Sequence, residues 1–265
     1  MQDVGLFGPD SVSWRVHAET TVLFGGARAI LLQAAHPLVI AGARASGFYE
    51  RNPWKRLERT LQLTYTITFG SRDEAMAAAD RINEVHARIS GIDEITGKPY
   101  DALDPALLLW VHAVLVDSAL LFEELTVGRL TAAERETFHA EQMIVAELLG
   151  VPRAMIPSSV ADLRAYIDSV VASGDLLVTD SARAVARLFL HPPPEANWRP
   201  ILRLVARLAF GTLPPSLREG YGVRWNGARE AAMRVGLAAL RSGHSLIPPR
   251  FRFIEPAVHA RARVG

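Results

Sequence analysis

The stretch NPWKRLERTLQLTYTITFGSRDEAMAAADRINEVHARISG, residues 52–91, reads as two helices joined by a turn at Gly70. The Asn-Pro pair at 52–53 supplies the residue types that begin a helix, an N-cap followed by proline at the first helical position. The Ser-Arg-Asp-Glu run at 71–74 matches the capping box that opens a second helix. The stretch therefore predicts a helical hairpin.

Four polar side chains of this hairpin are candidates for one site. Arg56, Arg59 and Thr60 are spaced i, i+3 and i+4 on the first helix, so they share one face. On the second helix, His86 lies at nearly the same depth as Arg56, since a rise of about 1.5 Å per residue offsets the two by roughly 3 Å. The spacing leaves open whether the two faces turn toward each other.

The rest of the chain predicts an all-α fold in a single domain over residues 1–265, with about ten helices. Period-2 alternation of any length is missing, so strands are not expected. Asp104-Pro105 begins a helix that is apolar on most sides and is therefore predicted to be central and buried. The segment from Ile92 to Leu103 is predicted to be a loop, a candidate lid or site wall.

A glycine pair interrupts the first predicted helix, which runs from about Ser13 to Gln33. Gly25-Gly26 lies in its middle and weakens it, because glycine loses more backbone freedom than other residues on becoming helical. If the segment is helical nonetheless, another element is expected to pack closely there.

Composition sets limits on the class of protein. Of 265 residues, 49% are hydrophobic and 22% charged, enough for a sizeable core, and the net charge of +1 gives no reason to expect nucleic acid as a partner. The absence of cysteine excludes disulfides, thiolate catalysis and cysteine-ligated zinc. The N-terminus does not resemble a signal peptide, and charged residues interrupt the apolar run at 107–125. The expectation is a cytoplasmic protein without an integral membrane segment; a homodimer is left open.

Two of the eight histidines stand out. A lone helical histidine is usually structural, but His86 shares a face with Ile82 and Ile89 and should point inward. His112 lies inside the most apolar helix, where a buried imidazole needs a partner or a metal. A di-iron bundle is not expected, because it needs Glu-x-x-His on two helices and the chain contains this motif once, at Glu136 to His139.

As an ensemble, the motifs of this chain resemble a known family over nearly its whole length. They are Gly25-Gly26-x-Arg28, His36-Pro37, Gly42, Asn52-Pro53, Arg56-x-x-Arg59-Thr60, Phe69-Gly70, His86, Gly91, Asp104-Pro105 and Trp110. This set resembles the helical haem oxygenases that include rubber oxygenase and MpaB-type oxygenases.

That resemblance implies haem b, with its iron, bound in an internal pocket of the all-α fold. Arg56, Arg59 and Thr60 match the family's Arg-x-x-Lys-Thr motif on the distal side, and His86 is the best match for the proximal iron ligand. His112 and His36 are the alternative ligands or distal groups. Arg59 stands where the family has lysine, and a charged guanidinium cannot ligate iron.

The resemblance implies a haem-dependent oxygenase whose substrates are dioxygen and an apolar or aromatic small molecule. Arg59 and Thr60 are the predicted catalytic residues. Two alternatives stay open: a haem-binding sensor or carrier without turnover, and a helical binding protein that has lost haem.

Overall fold

The computed structural model describes residues 3–47, 53–190 and 199–265, and helices dominate these ranges, which confirms the all-α prediction. More than ten helices are present, because the first predicted helix is divided into three and because residues 215–220, 249–252 and 255–264 form helices that were not predicted. The elements are α1 (Val12–Ala18), α2 (Thr20–Leu23), α3 (Gly25–Ala34), α4 (Pro37–Ala45), α5 (Pro53–Phe69), α6 (Arg72–His86), β1 (Ser90–Ile92), β2 (Pro99–Asp101), α7 (Pro105–Thr126), α8 (Ala132–Leu148), α9 (Val160–Ser173), α10 (Asp180–Leu190), α11 (Arg199–Gly211), α12 (Pro215–Gly220), α13 (Gly227–Gly243), α14 (Pro249–Arg252) and α15 (Glu255–Val264).

Helix α7 is the central helix, as predicted. Asp104 caps it by accepting a hydrogen bond from the Ala106 N–H, and Pro105 follows at the first position. The helix packs against α2, α3, α8, α9 and α13. By length and composition α7 could span a membrane, but most of its apolar stretch is buried inside the fold, as in the core helix of many proteins.

Helix α3 approaches α7 closely at Gly25. A Cβ placed on it would lie 2.7 Å from the carbonyl oxygen of Ser118 and 3.1 Å from the ring of Phe122. At Gly26 a Cβ would meet nothing within 4 Å. The predicted close packing at the glycine pair is therefore confirmed. Of the two glycines, Gly25 lies at the contact, and Gly26 does not.

The first predicted helix is not continuous, and the prediction of one helix to Gln33 was wrong. The backbone becomes extended at Glu19 (φ −79°, ψ 121°), between α1 and α2. There Glu19 forms a β-bridge with Phe253, and its buried carboxylate accepts hydrogen bonds from Arg252 and His244. These contacts are more than 220 residues distant in sequence, so local patterning could not reveal them.

The segment predicted as a loop after Gly91 instead contains a small antiparallel hairpin. β1 pairs with β2 in the register Ser90 to Asp101 and Ile92 to Pro99. Its turn is held by Asp93, whose carboxylate accepts from the backbone N–H and hydroxyl of Thr96. Strands of three residues are too short for alternation to show in a sequence.

The helical hairpin is confirmed. Ser71 and Glu74 form the predicted capping box, and α5 lies antiparallel to α6. The end nearer the turn is anchored by Phe69, which stacks edge-on against Trp14 of α1 with ring centroids 5.0 Å apart. Asn52 and the side chain of Arg56 lie outside the residues that the structure describes.

Candidate functional site

Three of the predicted site residues lie toward the end of the helical hairpin that is far from its anchored turn. Arg59 and Thr60 are exposed on α5, and His86 is half-buried in the last turn of α6. The Thr60 carbonyl accepts a hydrogen bond from the Thr64 hydroxyl at 3.0 Å, which is the i to i−4 bond that a threonine hydroxyl often forms within a helix. This part of the hairpin therefore presents a cation, a hydroxyl and an imidazole on neighbouring antiparallel helices.

After α6 the chain forms β1 and β2, and both strands pack against α4. Just after His86, the Ile89 carbonyl accepts from the Ala102 N–H at 2.9 Å. Gly42 of α4 faces this segment, because a Cβ there would lie 3.3 Å from the Ile89 side chain and 3.6 Å from the ring of Tyr100. The segment that follows His86 therefore packs directly against α4.

His36 stands at the start of that same helix α4. It occupies the N-cap position before Pro37, and its ring lies 6.5 Å from the ring of Trp110, centroid to centroid. The Nδ1 of His36 and the Nε1 of Trp110 are both buried, and neither has a hydrogen-bond partner among the described residues. Two unsatisfied ring nitrogens therefore lie at the junction of α4 and α7, where burial without a partner is costly.

The charge state of His36 follows from its burial. Removal from water is the largest influence and lowers its pKa, while the carboxylates of Asp175 and Asp104 oppose that effect and Lys98 adds to it. A lowered pKa keeps the imidazole neutral at neutral pH. Neutral imidazole is the form that binds a metal ion.

His112 lies on a different side of α7. It follows Trp110 by two positions, which places the side chains about 200° apart around the helix. Burial and the nearby His139 lower the pKa of His112 to about 4, and burial lowers that of His17 to about 4. The Nε2 of His112 is buried with no hydrogen-bond partner among the described residues. The structure therefore does not bring His112 together with His36.

These residues suit haem better than a bare metal ion. The part of the chain that the structure describes contains no group of three or more His, Asp or Glu side chains able to hold a metal. Haem needs less from the protein, because the porphyrin supplies four ligands and a single imidazole can complete the set. His86 and His36 are both half-buried, and Arg59 carries an exposed guanidinium of the kind that binds a propionate.

The sequence does not single out the indole N–H of Trp110 as a polar group of this region. One signal was present: an indole N–H in the most apolar helix needs a partner as much as a buried imidazole does. Its proximity to His36, about 75 residues earlier in the chain, depends on how α4 packs beside α7 and is not encoded in local spacing.

Comparison with known proteins gives a family match and two relatives. The catalytic-domain model described as ER-bound oxygenase mpaB/B'/Rubber oxygenase matches residues 14–242. Two proteins named as uncharacterized, Mb2261 of Mycobacterium bovis and Rv2237 of Mycobacterium tuberculosis, are each 25% identical over 229 residues, covering 83% of this chain and 88% of theirs. No solved structure matches.

Proposed function

Because the chain belongs to the family of mpaB and rubber oxygenase catalytic domains, we propose that it is a haem b-dependent oxygenase acting on an apolar or aromatic small molecule. The match over residues 14–242 carries the proposal, since it covers the helical hairpin, α4 and α7 together. Haem and the class of substrate go beyond the family description. They are supported by the residue types at the candidate site.

His86 is the proposed iron ligand, with His36 as the alternative. Both are half-buried, and both belong to the continuous structure of α6, the β-hairpin and α4. Haem, when bound, supplies the redox chemistry with dioxygen that no side chain of this cysteine-free protein can perform.

The polar residues of α5 have separate proposed tasks. Arg59 would bind a haem propionate through a charge-assisted hydrogen bond, which orients the cofactor. Thr60 would donate its hydroxyl proton in a hydrogen bond on the distal side. Arg56 is proposed to act with Arg59, one turn away on the same helix.

The surroundings of His36 support an apolar substrate. Helix α4 buries Pro37 and Ile40, and the first turns of α7 bury Leu107 and Trp110. Sites for small molecules are mostly lined by such side chains, with few polar groups to fix orientation.

The test of haem binding is an absorption spectrum of the purified protein after incubation with haemin. A Soret band is expected, and His86→Ala should abolish it. His259→Ala is the matched control, because that imidazole is 73% exposed on α15 and outside the matched domain. Absence of the band in the wild-type protein, or its persistence unchanged in both His86→Ala and His36→Ala, would refute the proposed cofactor site.

The test of turnover is dioxygen consumption that depends on an added apolar or aromatic compound. Thr60→Val should keep the Soret band and reduce the rate by roughly 100-fold, the effect typical of losing one hydrogen-bond donor at a reaction centre. A rate equal to that of the wild-type protein would remove Thr60 from the catalytic residues.

A further inference from the structure

The overall charge of +1 hides a strong asymmetry along the chain. Residues 199–265 contain 12 arginines and no lysine, against three acidic residues, and so carry +9. The preceding 198 residues therefore carry −8. A charge imbalance of this size between two parts of a chain is typical of contact with an anionic surface.

Large apolar side chains are exposed in the same basic part of the chain. Between α13 and α14 the chain presents Leu246 with 82% of its surface exposed, and Phe251 follows with 62% exposed. Val235 on the outer side of α13 is 69% exposed. These values are high for side chains of this size, and they lie close together along the chain.

A shallow apolar groove is lined by residues next to Val235 and Leu246 in the chain. Its volume is about 350 Å³, and it is lined by Leu204 of α11, by Gly236, Ala239, Leu240 and Gly243 of α13, and by Ile247. Val235 lies one turn before the groove residue Ala239, and Leu246 precedes Ile247. We call this surface, formed by Leu204, Val235, Leu246, Ile247 and Phe251, the C-terminal face.

Arginines border the C-terminal face. Arg203 and Arg207 are exposed on either side of Leu204 in the sequence of α11, and the Arg250 guanidinium lies 4.8 Å from the centre of the Phe251 ring. Within the described ranges, no carboxylate forms an ion pair with these three arginines. Their charges are therefore available to a ligand.

We propose that the C-terminal face docks on the surface of an anionic lipid bilayer. Leu246 and Phe251 would enter the boundary between head groups and acyl chains, while Arg203, Arg207 and Arg250 contact lipid phosphates. Nucleic acid would use the arginines but leave the exposed aliphatic side chains in water. A bilayer surface uses both, because arginine beside leucine and phenylalanine is the pattern of interfacial binding.

This docking does not depend on haem, so its test is separate from that of the proposed function. Sedimentation with vesicles of phosphatidylcholine containing about 30% phosphatidylglycerol should capture the protein at about 0.1 M salt. Vesicles of phosphatidylcholine alone should capture far less. High salt should weaken binding, since it screens the arginines.

Two double variants separate the apolar and the cationic contributions. Arg203→Gln/Arg207→Gln should weaken binding by roughly 30-fold, because each arginine near an anionic surface contributes about 1 kcal/mol. Leu246→Asn/Phe251→Asn should weaken binding to anionic vesicles, and it should abolish the binding that the wild-type protein retains at high salt. Matched controls are Ile92→Asn, which alters a side chain 71% exposed in the β-hairpin, and Arg88→Gln beyond the end of α6. Both should bind as the wild-type protein does.

Several results would overturn the proposal. One is failure of the wild-type protein to sediment with anionic vesicles, and another is equal binding by the double variants and the controls. Conversion of a dimer to a monomer by Leu246→Asn/Phe251→Asn, without vesicle binding, would make the face a surface for self-association. Binding to DNA but not to vesicles would show that the arginines serve nucleic acid.

Discussion

Replacing each member of the glycine pair by alanine should have opposite effects on stability. In Gly25→Ala the new methyl group would lie 2.7 Å from the Ser118 carbonyl oxygen and 3.1 Å from the Phe122 ring, so α3 must move away from α7. Overpacking of this kind lowers the free energy of unfolding by about 1–3 kcal/mol. Gly26→Ala meets nothing within 4 Å, and it should raise that free energy by about 0.4–1 kcal/mol through the less flexible unfolded chain.

Thermal unfolding followed by circular dichroism measures both effects. In a protein of this size 1 kcal/mol corresponds to about 2–4 °C in Tm. Gly25→Ala should therefore melt several degrees below the wild-type protein and Gly26→Ala slightly above it. The two variants add the same atoms at adjacent positions, so each controls for the other. If Gly25→Ala melts at or above Gly26→Ala, then α3 and α7 do not meet at this glycine.

Three further outcomes concern buried charge. Asp117→Ala should lower the free energy of unfolding by about 3–5 kcal/mol in urea, because it leaves Arg28, which it binds at 2.8 Å, buried and uncompensated. The pKa of His112 is about 4 in the folded protein against an ordinary 6.5, so the unfolded chain binds more protons between these values. The contribution of His112 to stability should be complete above pH 6.5, and about 3 kcal/mol of it should be lost toward pH 4. His17, whose pKa burial also lowers to about 4, should add a loss over the same pH range. Glu19→Gln should speed hydrogen exchange in residues 244–254, because the bidentate contact from Arg252 loses its charge.

Each of these predictions would be contradicted by a specific result. Asp117→Asn keeps the shape of the side chain but removes its charge. If it lowers the free energy of unfolding no more than Asp73→Ala, which alters an exposed carboxylate, the ion pair with Arg28 does not stabilise the fold. His112→Gln should reduce the slope of stability against pH and leave the part that is due to His17, and an unchanged slope would assign the dependence to other groups. Exchange in Glu19→Gln that matches the wild-type protein would show that residues 244–254 are held by other contacts.

The sequence predicts the helices well because their ends are local. Asp104 and Ser71 each form the N-terminal cap predicted from their type and from the residues that follow. The break at Glu19 could not be predicted, since it depends on partners at the other end of the chain.

The candidate site is less predictable than the fold. The spacing within α5 correctly places Arg59 and Thr60 on adjoining positions of a helix, and His86 at the end of α6. Spacing does not reveal that His36 approaches Trp110, or that His112 turns to a different side of α7. Those relations depend on helix packing between distant segments, which side-chain shape decides.

The ion pair cluster at Glu19 bears on how this protein should be shortened. The match to the family ends at residue 242, two positions before His244 and ten before Arg252. Cutting there would remove both side chains, His244 and Arg252, that hydrogen-bond to the buried Glu19 carboxylate. It would also remove α15, which packs against α1 and α5. Expression of the matched region alone should therefore give poorly soluble material, while a polypeptide that retains residues 243–265 should not.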